Sequence, residues 1–302
     1  MRSDARLASV SLSVVAAFLW ASYYGFFLGL GHSVTPVGLI AYPFLAGGAV
    51  LALWAVRSGH GEALRRLFLS AAQWGRVLMF LGIQVSIVAV TILSGPVDAA
   101  LLSLVGDVAL TPLLVMAIFQ EGRDRLRSPL FLGGILLSGF GAALTIFDGG
   151  RVAPLGGYGL LAAPLIPILI AGFFVSSSRA AREYPSSAVL GQAALGAGAL
   201  ALPLAFLLPA SVGALAVHGA LPVVLLVGCG LTSFALAPMC YFEAIGRSGI
   251  LLPALLQAGI PVFTLGFTAA LSGHTPGWIG LAGIPVAVTG AVLAVQGSHA
   301  VS

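Results

Sequence analysis

Ten predominantly apolar runs divide this chain, at 8–29, 36–56, 77–94, 98–119, 129–147, 156–178, 186–208, 221–244, 249–271 and 277–296. Each is long enough to cross about 30 Å of hydrocarbon as a helix that rises about 1.5 Å per residue. Lipid offers no partners to backbone amides, so an isolated run has to satisfy them internally as a helix. The intervals are short and carry turn chemistry, as in GHSVTP at 31–36 and SGHTPG at 272–277. None has room for a soluble domain. The expectation is an all-α polytopic membrane protein of ten transmembrane helices, held in a lipid bilayer.

Charge supports that reading. Charged residues make up 7% of the chain, against about 25% in soluble domains. The pI near 9.5 invites a nucleic-acid reading, but the basic residues form no cluster on a helix or tail, so no nucleic acid is expected. All 13 are arginines, and their spacing follows membrane topology. With the N-terminus in the cytoplasm, Arg2, Arg6, Arg57, Arg65, Arg66, Arg76, Arg123, Arg125, Arg127, Arg179, Arg182 and Arg247 all fall inside, and Arg151 alone outside. The excess of arginine on one side sets orientation, which places both termini in the cytoplasm of a multi-pass inner-membrane protein. The run that follows MRSDAR reads as a retained helix, since nine more spans come after it. Cys229 and Cys240 share one run eleven residues apart, about 16 Å along a helix, too far for a disulfide. No metal-ligand spacing occurs, and no cofactor is expected.

The chain repeats itself. At an offset of 149, residues 102–144 match 251–293 without a gap, with identities that include Pro112/Pro261, Gly134/Gly283 and Gly141/Gly290. With one residue of slippage, LWASYY at 19–24 resembles LIAGFF at 169–174. The halves are therefore 1–150 and 151–302, with five spans each. Five is odd, so the second half enters the membrane upside down relative to the first. In such inverted repeats the substrate site lies between the halves near the midplane, often at Pro- or Gly-interrupted helices.

The same residues carry a family resemblance. The chain resembles the drug/metabolite transporter (DMT) superfamily, in its EamA-type branch of two five-helix repeats. Pro261, Gly273-His274, Gly283 and Gly290 follow that family's pattern in the second half, and Pro112, Arg125, Gly134 and Gly141 in the first. Trp20-Ala21-Ser22 resembles its Trp-Gly-Ser. Arg125 and His274 stand where the family has glutamate, and AYPF at 41–44 replaces its second-helix arginine. The resemblance implies a ten-helix basket around a central cavity, with the fifth and tenth helices peripheral. It also implies secondary transport of a small organic solute, commonly export of amino acids or related metabolites.

Transport needs no nucleophile, so the candidate residues are polar or aromatic groups buried in the spans. Asp107 lies mid-span with Pro112 five residues on, and an intramembrane carboxylate reads by default as functional. It serves either in proton coupling, as a counter-charge for a substrate amine, or as a structural group paired with Ser103. Gln257, near Pro261, is its counterpart in the second half. Gln84 is a third costly polar group, with Gln192 a weaker one. Trp20, Tyr23 and Tyr24 fall mid-helix rather than at an interface belt, and either line the cavity or pack helices; Tyr241 is of the same kind. Pro112 and Pro261 are expected to break their helices. Gly134 and Gly141, like Gly283 and Gly290, place small residues on one helix face, for packing within the basket or across a homodimer.

Two other classes compete with transport. A membrane sensor or scaffold needs a loop, tail or domain to engage a partner, and none is evident. An intramembrane enzyme needs a nucleophile–base pair or metal motif, which a single mid-span aspartate does not provide.

Overall fold

The computed structural model describes residues 2–30, 34–94, 99, 103, 113–114, 116–117, 123–146, 157–207, 220–272 and 277–297. All regular secondary structure among them is helical. In chain order the helices are α1 (Arg2–Leu30), α2 (Gly38–Arg57), α3 (Gly61–Leu69), α4 (Trp74–Ser94), α5 (Pro129–Ile146), α6 (Gly157–Ala180) and α7 (Ser186–Leu207). They continue as α8 (Ala220–Cys229), a π-helical stretch (Gly230–Leu236), α9 (Ala237–Ser248), α10 (Leu251–Leu256), α11 (Gly259–Ser272) and α12 (Trp278–Gly297). Six helical stretches are long and apolar enough to cross a membrane: Arg6–Leu30, Gly38–Arg57, Ala71–Ile92, Ser186–Pro203, Ala220–Ser248 and Leu252–Leu271. Shorter apolar stretches lie in α5, α6 and α12. The protein is a helical, multi-pass membrane protein.

One helix lies where only a connecting loop was expected. In α3 the residues Leu64 and Leu67 are buried against Ala188 and Val189 of α7, while Glu62, Arg65 and Arg66 point outward. The 3-residue spacing of the two leucines makes an amphipathic turn. Gly59, at φ +80°, reverses the chain between α2 and α3, and Gly249, at φ +77°, does so after α9. The amide of Gly249 donates to the Ile245 carbonyl at 2.8 Å, closing the end of α9, and its positive φ is one that glycine adopts readily.

Helices from the two halves of the chain pack in pairs: α2 on α7, α4 on α6, α5 on α12, and α1 on both α9 and α11. Small residues let the backbones meet. A Cβ on Gly48 would stand 2.9 Å from Leu195 Cγ, and one on Gly198 would stand 2.9 Å from Leu45 Cγ. The contact of α5 with α12 uses the four expected glycines within a single chain. Gly134 faces Gly290 and Ala294, and Gly141 faces Gly283 and Ala287. Of the two arrangements open for this face, packing within one chain is the one present.

Arg76, one of the arginines on the expected cytoplasmic side, is only 3% exposed. Its Nη1 donates to Gln73 Oε1 and its Nη2 to Gln192 Oε1 on α7, both at 2.9 Å. A guanidinium brings several fixed donors, and burial is tolerable where facing amide oxygens accept them. Glu243 and Arg247 form an i,i+4 pair on α9, at 2.8 Å.

Candidate central cavity

Aromatic side chains from five elements converge at the centre of the described bundle. Phe80 of α4 and Phe173 of α6 stack with centroids 4.4 Å apart and planes 8° from parallel. Phe44 of α2 packs on Phe80 at 4.7 Å and on Phe234 of the π stretch at 4.6 Å. Tyr23 of α1 meets Phe234 edge-on at 5.8 Å. The edge-on contact is one that ring quadrupoles favour.

Between them lies a cavity of about 80 Å³. Trp20, Tyr23, Tyr24, Gln84 and Ser103, all singled out in the sequence, are on its wall. Two polar atoms there, Tyr23 Oη and Gln84 Oε1, are buried and have no hydrogen-bond partner among the described residues. A buried polar atom left in this state costs about 1–3 kcal/mol, which a ligand with matching groups would recover. Ser103 Oγ donates to the Ala99 carbonyl at 2.9 Å, one turn earlier.

Other candidates fall elsewhere. Tyr241 is fully buried behind the wall, 5.2 Å from Trp20 and 4.7 Å from Phe174 by ring centroids. Gln257 is also fully buried, but it sits at the interruption between α10 and α11, with Nε2 donating to the Pro253 carbonyl at 3.2 Å. Pro261 lies in the first turn of α11, and the interruption precedes it at 257–258. The cause is local: Pro261 has no amide to offer the Gln257 carbonyl, which accepts from Ile260 at 2.9 Å instead. Asp107 and Pro112 lie outside the described residues.

A second cavity of about 260 Å³ opens between the ends of α6, α7 and α9, with Ser178, Arg179, Arg182 and Phe242 on its wall. Phe174 lines the central cavity and Phe242 the second one, with centroids 6.5 Å apart. Tyr241 packs on both, so a layer of rings separates the two spaces.

Residues that sequence reasoning missed include Phe80, Ser233, Phe234 and Ile260. A phenylalanine in an apolar run carries no signal, because lipid and cavity call for the same residue. Ser233 did carry one, since it stands 149 residues after Gln84. At the offset of 150, Trp20, Tyr23 and Tyr24 correspond to Ile170, Phe173 and Phe174, and all six are on the wall.

No known family's sequence profile and no curated protein matches the chain. A solved structure, described only as the crystal structure of a protein, superposes with a TM-score of 0.76 at 23% identity. The match covers 99% of each chain, so the fold extends over the whole length of both.

Proposed function

We propose that this chain is a secondary transporter of a small organic metabolite, built as ten spans in two inverted five-helix halves. The reading places it in the bacterial inner membrane, with both termini cytoplasmic, as an exporter of the EamA type. It works by alternating access, exposing one central site to each side in turn. The observation that carries the reading is the aromatic cavity with Tyr23 Oη and Gln84 Oε1 unsatisfied on its wall. Flat apolar surfaces grip the body of a small solute, and a few placed polar atoms orient it.

Reciprocal contacts support the inverted halves. Gly48 meets Leu195 while Gly198 meets Leu45, and each residue of one contact lies 150 positions from its equivalent in the other. In the same way Gly134 meets Gly290 while Gly141 meets Gly283, with an offset of 149. An axis of two-fold pseudo-symmetry between the paired helices gives this pattern. The small central volume corresponds to a contracted state, since pockets for drug-sized ligands run to about 300–1,000 Å³. Passage requires the rings of Phe174, Tyr241 and Phe242 to part.

The test begins with untargeted metabolite profiling of cells with and without the protein, followed by flux into proteoliposomes. Solutes that accumulate in cells lacking the protein should move in the reconstituted system. Tyr23→Phe and Gln84→Leu should each lower kcat/KM about tenfold, the loss of one hydrogen bond of about 1.4 kcal/mol. Flux of no candidate under any gradient would overturn the reading. Asp107→Asn addresses coupling: flux that keeps its full dependence on a pH gradient in this variant rules out Asp107 as the proton carrier.

A further inference from the structure

A groove of about 530 Å³ runs along the outside of the bundle, where α1 and α12 flank α10 and α11. Ala258, Gly259 and Ala291 lie along it, residues too small to fill the gap between the flanking helices. Val14 on one side and Val288 and Val292 on the other are 40–48% exposed, so the groove opens outward. At its apolar end Phe263 meets Phe18 edge-on at 5.4 Å, one turn beyond Val14. Arg6 and Gln296 are the polar residues on its wall, and both are exposed. Among the described residues Arg6 takes part in no ion pair.

We infer that this groove is a binding site for one anionic phospholipid of the cytoplasmic leaflet, with an acyl chain in the groove and the headgroup phosphate at Arg6. The leaflet rests on the topology proposed above, which puts both chain termini on the cytoplasmic side, so that Arg6 and Gln296 mark one end. The length fits. Arg6 to Val14 and Gln296 to Val288 each span eight residues, about 12 Å of helix, against about 15 Å of hydrocarbon in one leaflet. The volume falls within the about 300–1,000 Å³ of sites for small organic ligands. The charge fits as well, since anionic lipids give the cytoplasmic surface a negative potential that attracts arginine.

Position gives the site a consequence. Leu256, Ala258 and Gly259 stand on either side of the interruption at 257–258 and all lie on the groove. An acyl chain seated there packs against both α10 and α11 and braces the break in the arrangement seen. The lipid therefore stabilises the fold by binding the native chain alone. An effect on the transport cycle rests on the transport reading above; the binding of lipid does not.

The test uses the purified full chain, stripped of lipid in detergent and melted across titrations of phosphatidylglycerol and of phosphatidylcholine with the same acyl chains. Phosphatidylglycerol should raise Tm saturably, by roughly 3–6 °C at ten times its midpoint concentration. Its midpoint should be about fivefold lower than that of phosphatidylcholine, and glycerol phosphate without chains should give no rise. Arg6→Gln should bring the two midpoints together. Val292→Trp, at an outward position, should melt cooperatively without lipid and lose the rise with either lipid; Val288→Trp on the same wall repeats the test. Absence of a saturable rise in the wild-type chain overturns the site, and so does a rise undiminished in both tryptophan variants. Equal midpoints for the two lipids in the wild-type chain overturn the anionic headgroup at Arg6. A wild-type dimer in detergent that Val292→Trp disperses makes the groove an interface between copies and overturns the lipid. None of these outcomes touches solute flux, which tests the transport reading separately.

Discussion

Gly134 and Gly290 each lie under the other's carbonyl: a Cβ on Gly134 would stand 2.6 Å from the Gly290 oxygen, and one on Gly290 would stand 2.7 Å from the Gly134 oxygen. Neither contact leaves room for a side chain, and the obstacle is backbone rather than a rotatable group. Gly290→Val or Gly134→Val should push α5 and α12 apart and cost about 1–3 kcal/mol, as overpacking does. Thermal melting in detergent measures this as a lowered Tm. Gly133→Ala and Gly139→Ala supply the contrast, since nothing lies within 4 Å of either new Cβ. They should be neutral or slightly stabilising, because alanine favours the helix over glycine.

The contact of Arg76 with Gln192 ties α4 to α7 with one hydrogen bond of 2.9 Å. Gln192→Leu removes the acceptor and leaves a buried guanidinium with one fewer partner. Hydrogen bonds to charged groups contribute about 1.5–3 kcal/mol, so Tm should fall. Gln192→Glu keeps an acceptor and adds a counter-charge, and should hold Tm at or above the wild-type value. Equal melting of the two variants would show that the acceptor is not what Arg76 requires.

The sequence made the helical membrane class, the glycine faces and a third of the cavity wall legible, each for a physical reason. Apolar runs of this length have one solution in lipid. Gly134, Gly141, Gly283 and Gly290 recur at a spacing that only close helix packing explains, although their partner came from the structure alone. Trp20, Tyr23, Tyr24 and Gln84 stood out because aromatic and amide groups are costly or unusual mid-span. The burial of Arg76 was not legible, because a charge near a helix end looks the same in sequence whether water or Gln192 receives it. The α3 helix escaped notice because nine residues give too short a period to separate from a loop. The π stretch was not legible either, since its cause is the approach of α2 to Gly230, a contact distant in sequence.

Lowered pH should loosen α3 locally. The Glu62 carboxylate accepts from Arg65 Nε at 2.9 Å and from Arg66 Nε at 3.1 Å. Hydrogen bonding from Arg65, then Arg66, holds its pKa below the ordinary carboxylate value. A depressed folded-state pKa stabilises at pH above the unfolded value, and that stabilisation is lost as pH falls through the folded value. Amide exchange in Gly61–Leu69 should therefore quicken below about pH 4. Because the pair is exposed, salt should shrink the effect, and Glu62→Gln should abolish the step. A step that survives in Glu62→Gln would assign it to another group.

Gln257 offers a way to separate stability from function. Its side chain is fully buried, its Oε1 has no hydrogen-bond partner among the described residues, and its Nε2 makes one long bond to Pro253. An orphaned buried acceptor costs about 1–3 kcal/mol, and leucine of similar volume would fill the space without that cost. Gln257→Leu should therefore raise Tm, by roughly 2–4 °C for each kcal/mol recovered in a chain of this size. If the amide serves only to join helices, flux should be unchanged in the stabilised protein. If the interruption at 257–258 works as a hinge in alternating access, flux should fall while Tm rises, the trade-off expected where strain is retained for activity. The transporter reading predicts the second outcome, because a polar group this costly stands at the break in α10–α11 with a single long bond to Pro253 to offset it. A drop in both Tm and flux would mean that the Gln257 amide is satisfied in the membrane and that its role is structural.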